Sequence, residues 1–233
     1  MTIAPHSLPR RSFVYRKLEA AGAVFETLGD AALAMRLAGE DPAVARQLAL
    51  CDLSPLPRLG FKGARTLAWL RAQGVALDER ANQAFAQPGG GLCAVLAPGE
   101  ALLLAPLSGR DAAIERLAAT WSIAGAEACY PVPRQDSHFW FLVSGRQAPA
   151  MFAKICGVDL RPGKFADLGI AQTSVARGNC VVLRADRGGT LAYHLLGDSA
   201  SAEYMWDCVI DAMAEFRGRP VGVTAVRSLL AQG

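Results

Sequence analysis

At 233 residues and 24.6 kDa the chain is long enough for one large domain or for a domain built of two similar halves. Hydrophobic residues make up 52% and charged residues 19%, an apolar surplus that points to a covered partner surface. Lys and Arg number 24 against 21 Asp and Glu, and this near balance, a net charge of +3, gives no electrostatic reason for nucleic-acid binding. No apolar run reaches the roughly 20 residues of a membrane-spanning helix, and Met1 to Pro9 lacks the basic start and apolar block of a signal peptide, so the expected location is cytoplasmic.

In chain order, Phe13, Leu18 and Ala21 share one face of a helix expected over 12–21, with Arg16 and Lys17 outward and Gly22 as its stop. A second helix is expected from Pro42 to Leu50, capped by Asp41. Together they form an expected N-terminal helical extension over 1–50. A strand, a small polar or glycine corner and a helix then recur: 59–62 into 63–73, 101–106 into 108–121, 138–143 into 144–156, and 191–196 into 199–216. Pro98-Gly99-Glu100 reads as a hairpin turn between 93–97 and 101–105, and Gln87-Pro88-Gly89-Gly90-Gly91 as a turn without phosphate-loop spacing.

The two middle corners are nearly identical, Ser108-Gly109-Arg110-Asp111-Ala112 and Ser144-Gly145-Arg146-Gln147-Ala148, with each serine placed to cap and Asp111 or Gln147 placed to reach back. The repetition indicates a duplicated architecture, α+β with mostly antiparallel sheets and helices to one side. The main domain is expected over 51–217, followed by a C-terminal helix or tail over 218–233.

Candidate chemistry is sparse. Cys51, Cys93, Cys129, Cys156, Cys180 and Cys208 are spread among apolar neighbours with no C-x-x-C pair, which suits core packing rather than metal or redox work. His194, between Tyr193 and Leu195, reads as a hydrogen-bonded strand residue rather than a base. Asp136-Ser137-His138 cannot converge as a triad, because neighbours on a strand face opposite ways. No catalytic or metal-ligating residue is assigned. Arg110 and Arg146 are possible anion-binding corners at helix starts. Trp69, Trp121, Trp140 and Trp206 are expected in the core or at an interface. The helix after Ser199 carries apolar groups around much of its circumference, which makes Trp206 and Met213 candidate partner-interface residues.

Two runs carry a family likeness. The first is Cys51-Asp52-Leu53-Ser54-Pro55-Leu56-Pro57-Arg58-Leu59-Gly60-Phe61-Lys62-Gly63-Ala64, followed by the helical Arg65-Thr66-Leu67-Ala68-Trp69-Leu70. The second is Ser201-Ala202-Glu203-Tyr204-Met205-Trp206-Asp207 after the strand-like Ala192-Tyr193-His194-Leu195-Leu196. Both resemble the sarcosine oxidase gamma subunit family, within the aminomethyltransferase-like folate-binding superfamily. In outline the similarity runs from about Ala49 to Phe216.

The chain departs from the transferases of that superfamily at both of their signature acids. Where they follow a glycine-rich turn with a strand holding a catalytic aspartate, this chain has Gly89-Gly90-Gly91-Leu92-Cys93-Ala94-Val95. Where they carry a folate-anchoring Gly-Tyr-Thr-Gly-Glu run, it has Gln172-Thr173-Ser174-Val175-Ala176-Arg177-Gly178-Asn179-Cys180. The resemblance therefore implies a non-catalytic subunit beside larger flavin- and folate-binding subunits that demethylate an N-methyl amine. FAD, FMN, NAD and tetrahydrofolate are implied for those partners and none for this chain. The alternatives are a stand-alone folate-binding-like protein of one-carbon metabolism, transferase or regulator, and an α+β domain with an unrelated partner.

Overall fold

The computed structural model describes residues 3–230. In chain order the elements are α1 (Tyr15–Ala20), β1 (Val24–Leu28), β2 (Ala31–Arg36), α2 (Val44–Gln47), β3 (Ala49–Asp52), β4 (Arg58–Lys62), α3 (Thr66–Ala72), β5 (Gln83–Ala86), β6 (Leu92–Ala97) and β7 (Glu100–Leu104). There follow α4 (Ala112–Thr120), β8 (Tyr130–Val132), β9 (His138–Ser144), α5 (Ala148–Phe152), β10 (Ile170–Val175), β11 (Gly178–Arg184), β12 (Ala192–Asp198), α6 (Ala202–Met213), β13 (Arg219–Val221) and α7 (Val223–Arg227).

The chain forms two compact units. The first takes Met1–Pro55, His138–Asp167 and Ala171–Gly233, and the second takes Leu56–Ser137 with Leu168–Ile170. Unit 1 holds a six-stranded sheet in the order β10-β11-β12-β9-β3-β13 and the separate hairpin β1-β2. Within the sheet β11, β12, β9 and β3 pair antiparallel and β13 runs parallel to β3. Unit 2 holds a five-stranded antiparallel sheet in the order β5-β6-β7-β4-β8. The architecture is α+β with mostly antiparallel sheets, as the alternation of strands and corners leads one to expect.

Strand periodicity divides the side chains of unit 1. Phe139, Phe141 and Val143 of β9 join Tyr193 and Leu195 of β12 on one face, where Met151 and Phe152 of α5 and Met205, Trp206, Val209 and Met213 of α6 cover them. Trp140 and His194, one residue out of phase, point to the other face. In unit 2, Phe61, Cys93, Val95, Ala101 and Leu103 meet Leu67 and Leu70 of α3 and Ile114 and Leu117 of α4.

Several expected boundaries move. The segment 1–50 is not only helical: it contains the β1-β2 hairpin, which turns at Gly29-Asp30 with Gly29 at φ 58°. The second helix is one short turn, because Leu48 and Leu50 enter the core at strand spacing and pull Ala49–Asp52 into β3. The main domain expected over 51–217 divides between the units, since β3 and β9 share a sheet while the chain from Leu56 to Ser137 folds apart. At the other end 218–230 adds β13 and α7, and α7 lies against β2 and β3. Residues 231–233 of the expected tail, like Met1 and Thr2 of the extension, lie outside the described residues.

The two Ser-Gly-Arg corners fall one in each unit, between β7 and α4 and between β9 and α5, but neither serine caps. Asp111 is the N-cap of α4 and accepts from the amides of Ala113 (2.9 Å) and Ile114 (3.3 Å), a bond pair worth about 1 kcal/mol. The Ser144 hydroxyl is buried and donates to the Ala45 carbonyl at 2.8 Å. Gly145 sits at φ 113°, and a Cβ there would lie 2.4 Å from the Gln47 carbonyl oxygen, so this corner admits only glycine.

Cys51, Cys93, Cys129, Cys156 and Cys180 are buried and Cys208 is half-buried. Burial pushes the Cys93 and Cys180 thiols up to about 12 and raises Cys51 as well, Asp52 adding to it there. A thiol-reactive disulfide reagent at pH 8 is therefore expected to modify one thiol rapidly in the native protein and six after denaturation. Rapid reaction of two or more native thiols would contradict this packing.

Candidate functional site

The Asp52-Leu53-Ser54 run that opens the first family-like segment does local structural work in unit 1. Asp52 Oδ1 accepts from the Ser54 amide (3.1 Å), the Ser54 hydroxyl accepts from the Trp140 amide (3.0 Å), and the Leu53 amide donates to the Trp140 carbonyl (2.8 Å). These bonds tie the end of β3 to β9. In unit 2, buried Arg58 donates to the carbonyls of Leu56, Arg134 and Gln135, which fixes the start of β4.

Neither arginine corner forms an anion pocket. At Arg110, which is exposed, the carboxylate of Asp111 already takes the amides at the start of α4. At Arg146, also exposed, the amides of Arg146 and Gln147 donate to the carbonyls of Arg46 and Gln47 (3.0 and 3.1 Å). Arg146 does line a groove of about 790 Å³ with Pro149, Ala153, Leu160 and Arg161 among its walls. Its second arginine is occupied, since Arg161 clasps Asp159 at 2.6 Å and lowers that carboxyl to about 2.

Trp206 and Met213 both face the core of unit 1, at 5% and 0% exposure. Trp206 meets Phe141 edge-on with ring centroids 5.3 Å apart. Neither offers a surface to a partner in the chain as folded. The open side of α6 is instead that of Tyr204, Cys208 and Asp211, where the Tyr204 hydroxyl donates to the Ala176 carbonyl at 2.9 Å.

His194 is buried, 1% exposed, on the second face of the six-stranded sheet. It stands opposite Leu142, and Trp140 stands opposite Leu196, so the two rings are diagonal neighbours on β12 and β9. The indole Nε1–H of Trp140 donates to His194 Nδ1 at 2.9 Å. Burial, helped by the nearby charge of Arg187, holds the imidazole well below its ordinary pKa of 6.5, so it is neutral. With Nδ1 accepting, the ring proton sits on Nε2, and Nε2 has no partner among the described residues. The one basic lone pair is thus engaged by the indole, and His194 is not poised as a general base.

The turn between β11 and β12 supplies the neighbouring charge. Arg184 is fully engaged: it grips Asp186 through Nε (2.9 Å) and Nη2 (2.5 Å) and donates through Nη1 to the Phe165 carbonyl (2.6 Å). Arg187, three residues on, forms no ion pair among the described residues, and its Nε is buried without a partner. Its position is nevertheless fixed, because Arg187 and Thr190 exchange both backbone hydrogen bonds at 2.8 Å around Gly188-Gly189, whose φ angles are 51° and 71°.

The two runs that the resemblance sets against the transferases' acids, 89–95 and 172–180, are apolar or structural here. Cys93 lies in β6 with no exposure, and 172–180 forms the β10-β11 hairpin, turning at Ala176 and Arg177 with φ of 44° and 67°. Among the described residues no three His, Cys, Asp or Glu side chains gather as a metal centre, and no helix is long and apolar enough to cross a membrane.

No protein-family model matches the chain, and neither does any curated protein. Solved structures do. A chain of the heterotetrameric sarcosine oxidase from Corynebacterium sp. U-96, in complex with pyrrole 2-carboxylate, aligns at a TM-score of 0.66 and 21% identity, covering 89% of this chain and 96% of that one. The glycine cleavage system aminomethyltransferase T from Bartonella henselae aligns at a TM-score of 0.70 and 16% identity, covering 95% of this chain but 62% of that one. This chain thus spans under two thirds of the length of the aminomethyltransferase. At these identities the likeness is one of fold, the mixed α+β fold that the two proteins share.

Proposed function

We propose that this chain is a non-catalytic, gamma-type subunit of a heteromeric complex that oxidatively demethylates an N-methyl amine, the flavin, nicotinamide and folate chemistry being carried by larger partner subunits. The observation that carries this reading is the extent of its likeness to a chain of heterotetrameric sarcosine oxidase: nearly all of both chains aligns, so little of either is left over. The chemistry of the residues supports it. The strand holding Cys93 offers no carboxylate, the buried thiols are held protonated, and the imidazole of His194 is neutral with its lone pair engaged. Each missing charge-assisted bond to a pterin or amine forgoes about 1.5–3 kcal/mol.

The experiment is an assay of the purified chain alone for sarcosine oxidation and for one-carbon transfer to tetrahydrofolate, with calorimetric titration of tetrahydrofolate. The expected result is a colourless protein, no turnover above a buffer control, and no submicromolar folate binding. Turnover or submicromolar binding would favour the second reading, a stand-alone folate-binding-like protein of one-carbon metabolism, which the TM-score of 0.70 to the aminomethyltransferase keeps in view.

A further inference from the structure

We infer that the groove beside Arg146 binds a small monocarboxylic acid with an aliphatic body, its carboxylate seated on the Arg146 guanidinium. The groove lies wholly within unit 1, and its volume of about 790 Å³ falls within the range of about 300–1,000 Å³ typical of small-molecule sites. Its charged lining residues are Arg146, Asp159 and Arg161. Arg161 is already committed to Asp159 through Nε (2.8 Å) and Nη2 (2.6 Å), so those two charges cancel. Arg146 is exposed, and its guanidinium makes no hydrogen bond or ion pair among the described residues. The backbone amides of its corner are spent on the Arg46 and Gln47 carbonyls, so the side chain alone is what the corner offers. The groove thus carries one uncompensated positive charge at one place.

The walls select the rest of the ligand. Pro149, Val158, Leu160 and Leu191 line the groove, and none of its lining residues is aromatic. An aliphatic body loses water against such walls, whereas a flat ring finds nothing to stack on. The walls are held in place before a ligand arrives: the Tyr193 hydroxyl donates to the Leu160 carbonyl at 2.7 Å, and the Gly145 amide donates to the Leu191 carbonyl at 2.8 Å. An inorganic anion would leave the apolar walls wet, and a neutral aliphatic molecule would leave Arg146 without a counter-charge. A monocarboxylate with an aliphatic body meets both demands, since a guanidinium takes a carboxylate in a planar two-bond fork. The site does not depend on the subunit reading, and its test uses binding rather than activity.

The ¹⁵N-labelled full chain is titrated with octanoate at constant ionic strength, and the amide resonances of Gly157 and Val158 are followed. Acetate, octan-1-ol and sulfate are the comparison probes. The expected result is a saturable displacement by octanoate with a dissociation constant below about 1 mM, about tenfold or more tighter than for any of the three comparison probes. Arg146→Gln should weaken octanoate by about fivefold or more, and Arg110→Gln, at the matching corner of unit 2, should leave it unchanged. Ala153→Trp, which places a large side chain in the groove, should abolish the displacement, and melting curves show whether each variant is folded. If Ala153→Trp does not fold, Arg146→Gln and the probe series decide. No saturable displacement, or one that Arg146→Gln leaves intact, overturns the inference. So does octan-1-ol binding as tightly as octanoate, the mark of an apolar groove in which Arg146 has no part, or acetate or sulfate binding as tightly, the mark of an unselective anion site.

Discussion

Trp206→Ala is expected to lower the unfolding free energy of unit 1 by about 3–5 kcal/mol, the usual cost of removing a large buried aromatic and leaving its cavity. The indole is 5% exposed, packs edge-on to Phe141 and sits in the apolar set shared by α5, α6, β9 and β12. Surrounding groups have little room to close the gap, since Met205, Val209 and Met213 on the same helix are themselves fully buried. Denaturant unfolding followed by circular dichroism measures the loss. A partner assay on the same variant separates core from interface: unchanged stability with lost partner binding would place Trp206 at a surface the folded chain does not show.

Acidification is expected to destabilise the chain from about pH 6.5 downward through His194. The unfolded imidazole has its ordinary pKa near 6.5 and the folded one lies well below it, so between those values the unfolded state takes up a proton that the folded state refuses. The contribution is fully present above pH 6.5 and falls as pH drops, with a limiting slope of about 1.4 kcal/mol per pH unit for one proton. Asp159 acts lower: its carboxyl, depressed to about 2 by the Arg161 hydrogen bond, favours the folded state above its ordinary 3.8 and loses that effect as pH falls toward 2. Stability measured from pH 7.5 to 5 in the wild type and in His194→Gln isolates the imidazole. The glutamine variant should lose most of the slope, and an unaltered slope would show that His194 is protonated in the native state.

The strands with an unbroken apolar run were legible from the sequence. His138–Ser144 and Leu92–Ala97 stand out because both of their faces are covered, and the Pro98-Gly99 turn fixes the hairpin that follows. The long helix beginning near Ser199 was equally clear, and its Tyr204-Cys208-Asp211 side proved to be the open one. The β1-β2 hairpin was not, because β2 is built on Ala31, Ala32 and Ala34, residues with little strand preference, and β1 is largely exposed. Its Gly29-Asp30 turn was the one available signal. Both Ser-Gly-Arg corners were found, yet their capping chemistry was misassigned, since a serine in a near-repeat can cap only if the backbone places it at the helix start. The Trp140–His194 pair could not be read at all. It depends on the register of β9 against β12, which brings together residues 54 positions apart.

The subunit reading is tested most directly by tagging this chain in its native host, purifying it under mild conditions and recording the absorption spectrum and subunit masses of what comes with it. The expected result is a yellow complex in which this chain accompanies a larger flavin-binding chain and which oxidises an N-methyl amine that the lone chain leaves untouched. A colourless chain that purifies alone, or a flavin-free assembly without amine oxidation, would contradict it.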